Sequence, residues 1–291
     1  MEYLPAYVKI LAHLFVVVYM LSVPLETTRG EIVTTLRDFR LMGYALLANL
    51  IIIPVLSVIL ARWFDLPLEI RTGFLMLALA PGGLFALQFA RVSKGNRVLA
   101  VGLLVVLTLV AIVVTPVLMS LFFPPSEAGK MPFAWLMLLL LLLAVVPLLI
   151  GRAWQQRAPA AAPKLGRLLG LLSIVLFIIA TLAAGKYKTP TLTSIGLGGI
   201  VAIIALILCA WAVGWLLGGP EIRNRKVLAI STSMRNVGVC YAIAAPYFPG
   251  SDVVVPILAF SGISIPMHRL FALLTGRLLC DTEASARPVE A

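Results

Sequence analysis

The chain has 291 residues, 62% of them hydrophobic and 12% charged, and its mean hydropathy is +1.08. Soluble domains are about half apolar and a quarter charged, so this composition excludes one and implies a single helical membrane domain. The net charge of +11 does not mark a nucleic-acid binder, because the cations lie in short loops between apolar runs and read as topology signals.

Apolar runs predict nine transmembrane helices, over about 6–25, 40–61, 68–91, 97–123, 132–151, 165–184, 193–217, 226–247 and 252–277. The expected fold class is an all-α polytopic membrane protein, one transmembrane domain over 1–280 with a polar tail from Asp281 to Ala291. The N-terminus lacks a basic stretch and a small-residue cleavage site, so the first run is expected to be a span and not a removed signal. Counting alternate loops, one side carries fifteen Lys and Arg and the other six, with Arg235 and Arg269 inside spans. That asymmetry places the C-terminus in the cytoplasm and the N-terminus outside, in a plasma (inner) membrane. Cys209, Cys240 and Cys280 are widely spaced, with neither a disulfide framework nor a zinc pattern.

Two spans are interrupted. The third contains Ala80-Pro81-Gly82-Gly83, where proline removes a backbone donor and two glycines relax the chain. The eighth contains Ser231-Thr232-Ser233-Met234-Arg235-Asn236-Val237-Gly238, with Arg235 about 15 Å of helix rise from either end of its apolar run, near the bilayer centre. A charge at that depth costs a few kcal/mol at the least, about 2.5–3.5 on insertion scales, and such charges face a cavity or a partner. The breaks lie five spans apart, so their helices cross in opposite directions. Paired broken helices are the sequence mark of an inverted-repeat transporter, with spans 1–4 corresponding to spans 6–9. A local kink at each break is the alternative.

These residues resemble a known family. Ala80-Pro81-Gly82-Gly83, then Ser93-Lys94-Gly95-Asn96 and Thr115-Pro116, are similar to the Pro-Gly-Gly … Ala-Lys-Gly-Asp/Asn … Thr-Pro pattern of the bile acid:sodium symporter family. Met234-Arg235-Asn236-Val237-Gly238 resembles its Gly-Met-Gln-Asn-x-Gly, and Asn49 to Pro54 its Gln-Phe-x-x-Met-Pro. The resemblance implies a core of spans 2–4 and 7–9, a panel of spans 1, 5 and 6, alternating access and an organic-anion substrate. It departs at the sodium site. The family's Glu falls on Ser231, its Gln on Arg235, its second-span Gln on the shorter Asn49, and its Ser-Asn pair on Ala86-Leu87.

The departure also follows from the residues alone. All twelve acidic residues fall in loops, span ends or tails, so no span interior offers a carboxylate to a cation. His13 and His268 are far apart in sequence and make a poor proton relay. The expectation is therefore a sodium-independent secondary transporter for a small organic anion, a facilitator or exchanger, in which Arg235 supplies the positive charge that sodium brings in relatives. The alternative is a sodium-coupled symporter whose cation site uses backbone carbonyls and hydroxyls. No cofactor and no metal is expected, and the partners are the anion and the lipid bilayer.

The candidate substrate-binding residues are Arg235, Asn236, Ser231, Ser233, Asn49, Gly82, Gly83 and Gln88. Arg235 offers a planar fork to a carboxylate, or else caps loose carbonyls of the opposite broken helix. Ser231, Ser233 and Asn236 bond a solute or complete the broken backbone. Gly82 and Gly83 permit close crossing, and Gln88 is the one amide in the second half of span three. His268 and Arg269 are expected to snorkel or to pair with a neighbouring span. Gly166–Gly170 and Gly214–Gly218 read as helix contacts, and Trp135, Trp211 and Trp215 as lipid-facing or interfacial. A membrane enzyme is disfavoured, since a zinc-binding His-Glu-x-x-His and paired intramembrane Asp are both missing. A sensor or scaffold without flux is disfavoured because no soluble signalling domain is attached.

Overall fold

The computed structural model describes residues 6–27, 30, 37–83, 85–122, 133–248 and 251–279. The expected tail at 281–291 lies outside them. In chain order the helices are α1 (Ala6–Leu25), α2 (Phe39–Trp63), α3 (Leu68–Leu79), α4 (Ala86–Val92) and α5 (Arg97–Phe122), then α6, which runs from Phe133 to Arg157 in three pieces. They continue as α7 (Ala162–Leu192), α8 (Gly196–Leu217), α9 (Ile222–Ser233), α10 (Val237–Tyr247) and α11 (Val254–Leu278). There is no strand among the described residues. Backbone donors and acceptors in hydrocarbon must be satisfied within the chain, and helices do this locally.

Seven helical segments among the described residues are long and apolar enough to cross a membrane, with α9 and α10 counted as one across their break. The other two expected spans take different forms. The first is the 20-residue α1, and the third is the pair α3 and α4, each too short to cross alone.

Proline shapes the long helices. α2 widens into a π turn at Ala48–Ile52, where the Ile53 N–H reaches back to the Ala48 carbonyl, and Pro54 follows. α6 repeats this at Leu141–Val145, with Val146 bonding Leu141 and Pro147 following. Proline has no N–H for the carbonyl four residues back, so a wider turn beside it keeps neighbouring groups bonded. α2 turns Ile51, Val55 and Ile59 outward at helical spacing, a lipid-facing stripe.

The least apolar spanning segment is the most enclosed. Every residue from Lys226 to Ala244 is buried, while the Arg-Asn-Arg that opens α9 is exposed or half-buried. A polar helix is tolerated at membrane depth when protein surrounds it. α8 packs along α9 through Gly214, where an added Cβ would come 2.5 Å from the Leu228 carbonyl oxygen, and through Gly218 against Arg225. α1 lies chiefly against α7 and α6, with Gly166 on Glu26 and Leu25, and Gly151 on Leu21 and Pro24. Both small-residue spacings thus serve close packing.

The Ser93-Lys94-Gly95-Asn96 motif is a connector. Lys94 takes φ 54°, and Gly95 leaves room for Val227. Asn96 caps α5 by accepting from Leu99 N (3.2 Å) while its Nδ2 donates to Asn224 Oδ1 (2.8 Å). The α4–α5 turn is thereby tied to the start of α9.

α3 and α9 are each 12 residues long, and each ends in a break. The breaks meet. Asn236 N donates to Ala80 O (2.9 Å) and Gly83 N donates to Met234 O (3.2 Å), one bond each way between two extended segments. Gly83 makes this approach possible, since a Cβ there would sit 2.5 Å from the Met234 carbonyl carbon, and Gly82 takes φ +83°. Gly83→Ala should therefore lose at least about 1–3 kcal/mol, because the clashing atoms are backbone and cannot rotate away. Thermal unfolding in detergent reads this as a lowered midpoint. Gly43→Ala, with nothing within 4 Å of the new methyl inside a helix, should not lower the midpoint.

Candidate functional site

The half-helices α3 and α9 end at the crossing with carbonyls that have no next turn to bond them. The sequence supplies partners for these groups. Thr115 Oγ1, on α5, donates to Leu79 O (2.8 Å). Arg235 Nη2 donates to Thr232 O (2.7 Å), and Nη1 reaches Ala78 O (3.4 Å). One guanidinium thus sits on the carbonyl ends of both broken helices, where helix dipoles present about half a negative charge each. Arg235 is 2% exposed, and its Nε–H has no partner. Its acceptors are backbone carbonyls.

Asn236 opens α10. Its side chain accepts from Val239 N (3.2 Å), the N-cap bond that lets the helix restart at Val237. Gly238, in the first turn, receives the Val16 side chain of α1, so this helix face is shaped to meet α1.

A cavity with room for about one water molecule lies beside Arg235. Phe15 of α1, Phe85 at the first break, Phe177 of α7 and Phe260 of α11 line it, with Arg235 and Ser264 supplying polar groups. Met234, Val237, Gly238 and Ile265 complete the wall. A second small cavity touches Asn236 and Thr108, whose Oγ1 is buried without a partner.

The expected site residues divide. Arg235, Asn236, Gly82 and Gly83 come together at the crossing. Asn49 joins from α2, donating from Nδ2 to Ala45 O (2.9 Å) and to Thr232 Oγ1 (3.4 Å), while its Oδ1 is buried and unpartnered. Ser231 Oγ donates to Leu228 O (3.3 Å) and does not line the cavity. Ser233 bonds back to Ala229 O (2.8 Å) and lies 2.6 Å from His268 Nε2. Gln88 lies away from the cavity, close to Gly170 of α7.

His268 pairs inward and does not snorkel: it is fully buried, with Nδ1 2.7 Å from Ser264 O. Arg269 is exposed. Trp211 departs from the lipid-facing expectation, because it stacks on Phe271 (4.6 Å between ring centroids) and meets the His268 ring edge-on at 5.3 Å. The pairing of α8 with α11, which sequence spacing does not reveal, turns it inward. The aromatic wall is the part of the site that sequence reading missed. Phe15, Phe85, Phe177 and Phe260 carry no local signal separating them from core or lipid-facing phenylalanines, and only the tertiary arrangement selects them.

At one end of α1, Glu26 forms an ion pair with Arg91 of α4, and Arg97 of α5 donates to the Glu26 carbonyl (2.6 Å). Gln155 of α6 donates to the Thr27 carbonyl (2.5 Å).

The chain matches the Sodium Bile acid symporter family over residues 13–212. It is 27% identical over 212 residues to an uncharacterized sodium-dependent transporter, YocS, of Bacillus subtilis (strain 168), covering 69% of this chain and 63% of the relative. It is 24% identical over 243 residues to a probable sodium/metabolite cotransporter, BASS2, chloroplastic, of Oryza sativa subsp. japonica, covering 81% of this chain and 57% of the relative. An uncharacterized protein of Bacillus subtilis (strain 168), YbaS, is 27% identical over 222 residues, 73% of this chain and 69% of that one. The chain thus spans less than two thirds of the first two relatives. The family model covers more than half of the chain, including the first broken helix and the connector after it, and on that ground the chain belongs to the sodium bile acid symporter family.

Proposed function

We propose that this protein is a secondary transporter that carries a small organic anion by alternating access, without sodium, and that Arg235 is the anion's ligand. The observation that carries the reading is the buried guanidinium at the crossing, whose acceptors are carbonyls and whose Nε–H is unpartnered beside a cavity. An anion satisfies that donor, and a guanidinium on carbonyl helix ends leaves no electrostatic reason to add a second cation there. Family membership and the relatives' descriptions as transporters support transport over catalysis.

The nine-span, inverted-repeat arrangement belongs to the same proposal. The equal 12-residue lengths of α3 and α9, and the bond given each way between their breaks, support a pseudo-two-fold axis through the crossing. The contacts of α1 with α6 and α7 support a panel of these three helices against a core of the rest. The Lys and Arg distribution supports an inner-membrane protein with its N-terminus outside and C-terminus cytoplasmic. In that orientation the Glu26–Arg91 pair, with Arg97 on the Glu26 carbonyl, ties panel to core at the cytoplasmic mouth.

A second reading, sodium-coupled symport, is favoured by the description of relatives as sodium-dependent and by the buried, unpartnered oxygens Asn49 Oδ1 and Thr108 Oγ1. Uptake of labelled organic anions into proteoliposomes separates the two. Uptake should proceed in sodium-free medium and fall by at least about tenfold in Arg235→Gln, the loss expected for a charged hydrogen bond. Uptake that requires sodium, or that Arg235→Gln leaves unchanged, would overturn the sodium-free reading.

Loosening the mouth should also be visible. In a chain with its native cysteines replaced by Ala, Ser22→Cys sits at a position 4% exposed between the cavity and Glu26. Arg91→Gln should raise its labelling by a membrane-impermeant maleimide from the cytoplasmic side several-fold. Equal labelling with and without Arg91 would show that the ion pair does not hold the mouth closed.

A further inference from the structure

The cavity beside Arg235 has an unusual balance, with one cation, one hydroxyl-bearing residue and four phenylalanines among the described residues that line it. Three of the rings touch one another across helix boundaries. Phe15 and Phe177 have centroids 5.0 Å apart, Phe85 and Phe177 4.9 Å, and Phe15 and Phe85 5.8 Å. Phe15 comes from α1 and Phe177 from α7, while Phe85 lies at the first break, so the cluster bridges separate helices in the wall of the cavity that Arg235 also lines.

We infer that the site selects a monoanion with a compact, flat apolar body, an aryl monocarboxylate, in preference to dianions and hydroxylated acids. The inference deepens the proposed function and rests on Arg235 as the anion ligand.

Room for about one water means that a solute enters only if the rings separate. Separation breaks the ring–ring contacts and exposes aromatic surface. A solute with an apolar face restores those contacts by taking the place of the displaced ring. A hydroxylated solute cannot, because apart from Arg235 the only polar side chain lining the cavity among the described residues is Ser264. Charge selects in the same direction. The unpartnered Nε–H of Arg235 accommodates one carboxylate, and no second Lys, Arg or His among the described residues lines the cavity to hold another. A second carboxylate would be desolvated without a partner, which is strongly unfavourable. Phe177 and Phe85 are thus specificity-determining residues, acting through the solute's body, while Arg235 acts on its charge.

The test is uptake of labelled phenylacetate, succinate and gluconate by the full chain in sodium-free proteoliposomes, with wild type, Phe177→Ala, Phe177→Leu and Arg235→Gln. The expected result is uptake of phenylacetate well above the other two, with the preference reduced roughly tenfold in Phe177→Ala. Phe177→Leu keeps apolar bulk and guards against a folding defect, so it should retain transport with a smaller aryl preference. Arg235-dependent uptake favouring succinate or gluconate would overturn this inference and leave the anion-carrier reading standing. An aryl preference untouched by both Phe177 variants would also overturn it. Uptake of none of the three, with the chain folded, would sink the inference and the anion-carrier reading together.

Discussion

The structure turns on one guanidinium set against the carbonyl ends of two half-helices. When α3 and α9 stop near the middle of the chain's apolar thickness, each leaves carbonyls that hydrocarbon cannot solvate. Arg235 reaches Thr232 O on its own half-helix and Ala78 O on the other, so one side chain completes both ends. The cost of burying that charge is offset by the two dipoles it faces, and the breaks are stabilised by the charge. The arginine is tolerated in an apolar run because both half-helices end on carbonyls that face it.

The rest of the fold protects this arrangement. Gly83 and Gly82 allow the two breaks to exchange backbone bonds, Asn236 restarts α10 immediately beyond, and Thr115 of α5 takes up the Leu79 carbonyl. α8 covers α9 through Gly214 and Gly218, so the most polar spanning segment is enclosed by apolar helices. Where relatives are described as sodium-dependent, this chain puts a covalently attached cation beside carbonyls that could otherwise ligate an ion. Arginine stays protonated under physiological conditions and cannot diffuse away, so this positive charge is permanent.

Much of the fold was legible in the sequence because it rests on composition and punctuation. Apolar runs located the helices, and Pro81, Gly82 and Gly83 marked one break while Ser231–Gly238 marked the other. The number of spans fits less simply, since the third span divides into two short helices. At the site, Arg235, Asn236, Gly82 and Gly83 were readable because a charge, a cap or a paired glycine is costly in an apolar run unless the helix breaks there. Ser231 and Ser233 were ambiguous for a physical reason: a hydroxyl in a helix satisfies itself on the carbonyl a turn back, as both do here. The inward pairing of His268 with Ser233, the stacking of Trp211 on Phe271 and the phenylalanine wall depend on which helices become neighbours. In a chain this apolar, periodicity alone does not separate a ring facing lipid from one facing a cavity.

The central claim is that the positive charge at the crossing is fixed and needs no ion. Linkage tests it most directly: if sodium binds with the anion, each must raise the other's affinity by the same factor. The measurement is the dissociation constant of a transported anion for the purified chain, by calorimetry, over a sodium titration at constant ionic strength. A permanent guanidinium predicts an affinity independent of sodium. Anion binding that tightens progressively as sodium rises, with a reciprocal gain in sodium affinity, would contradict it.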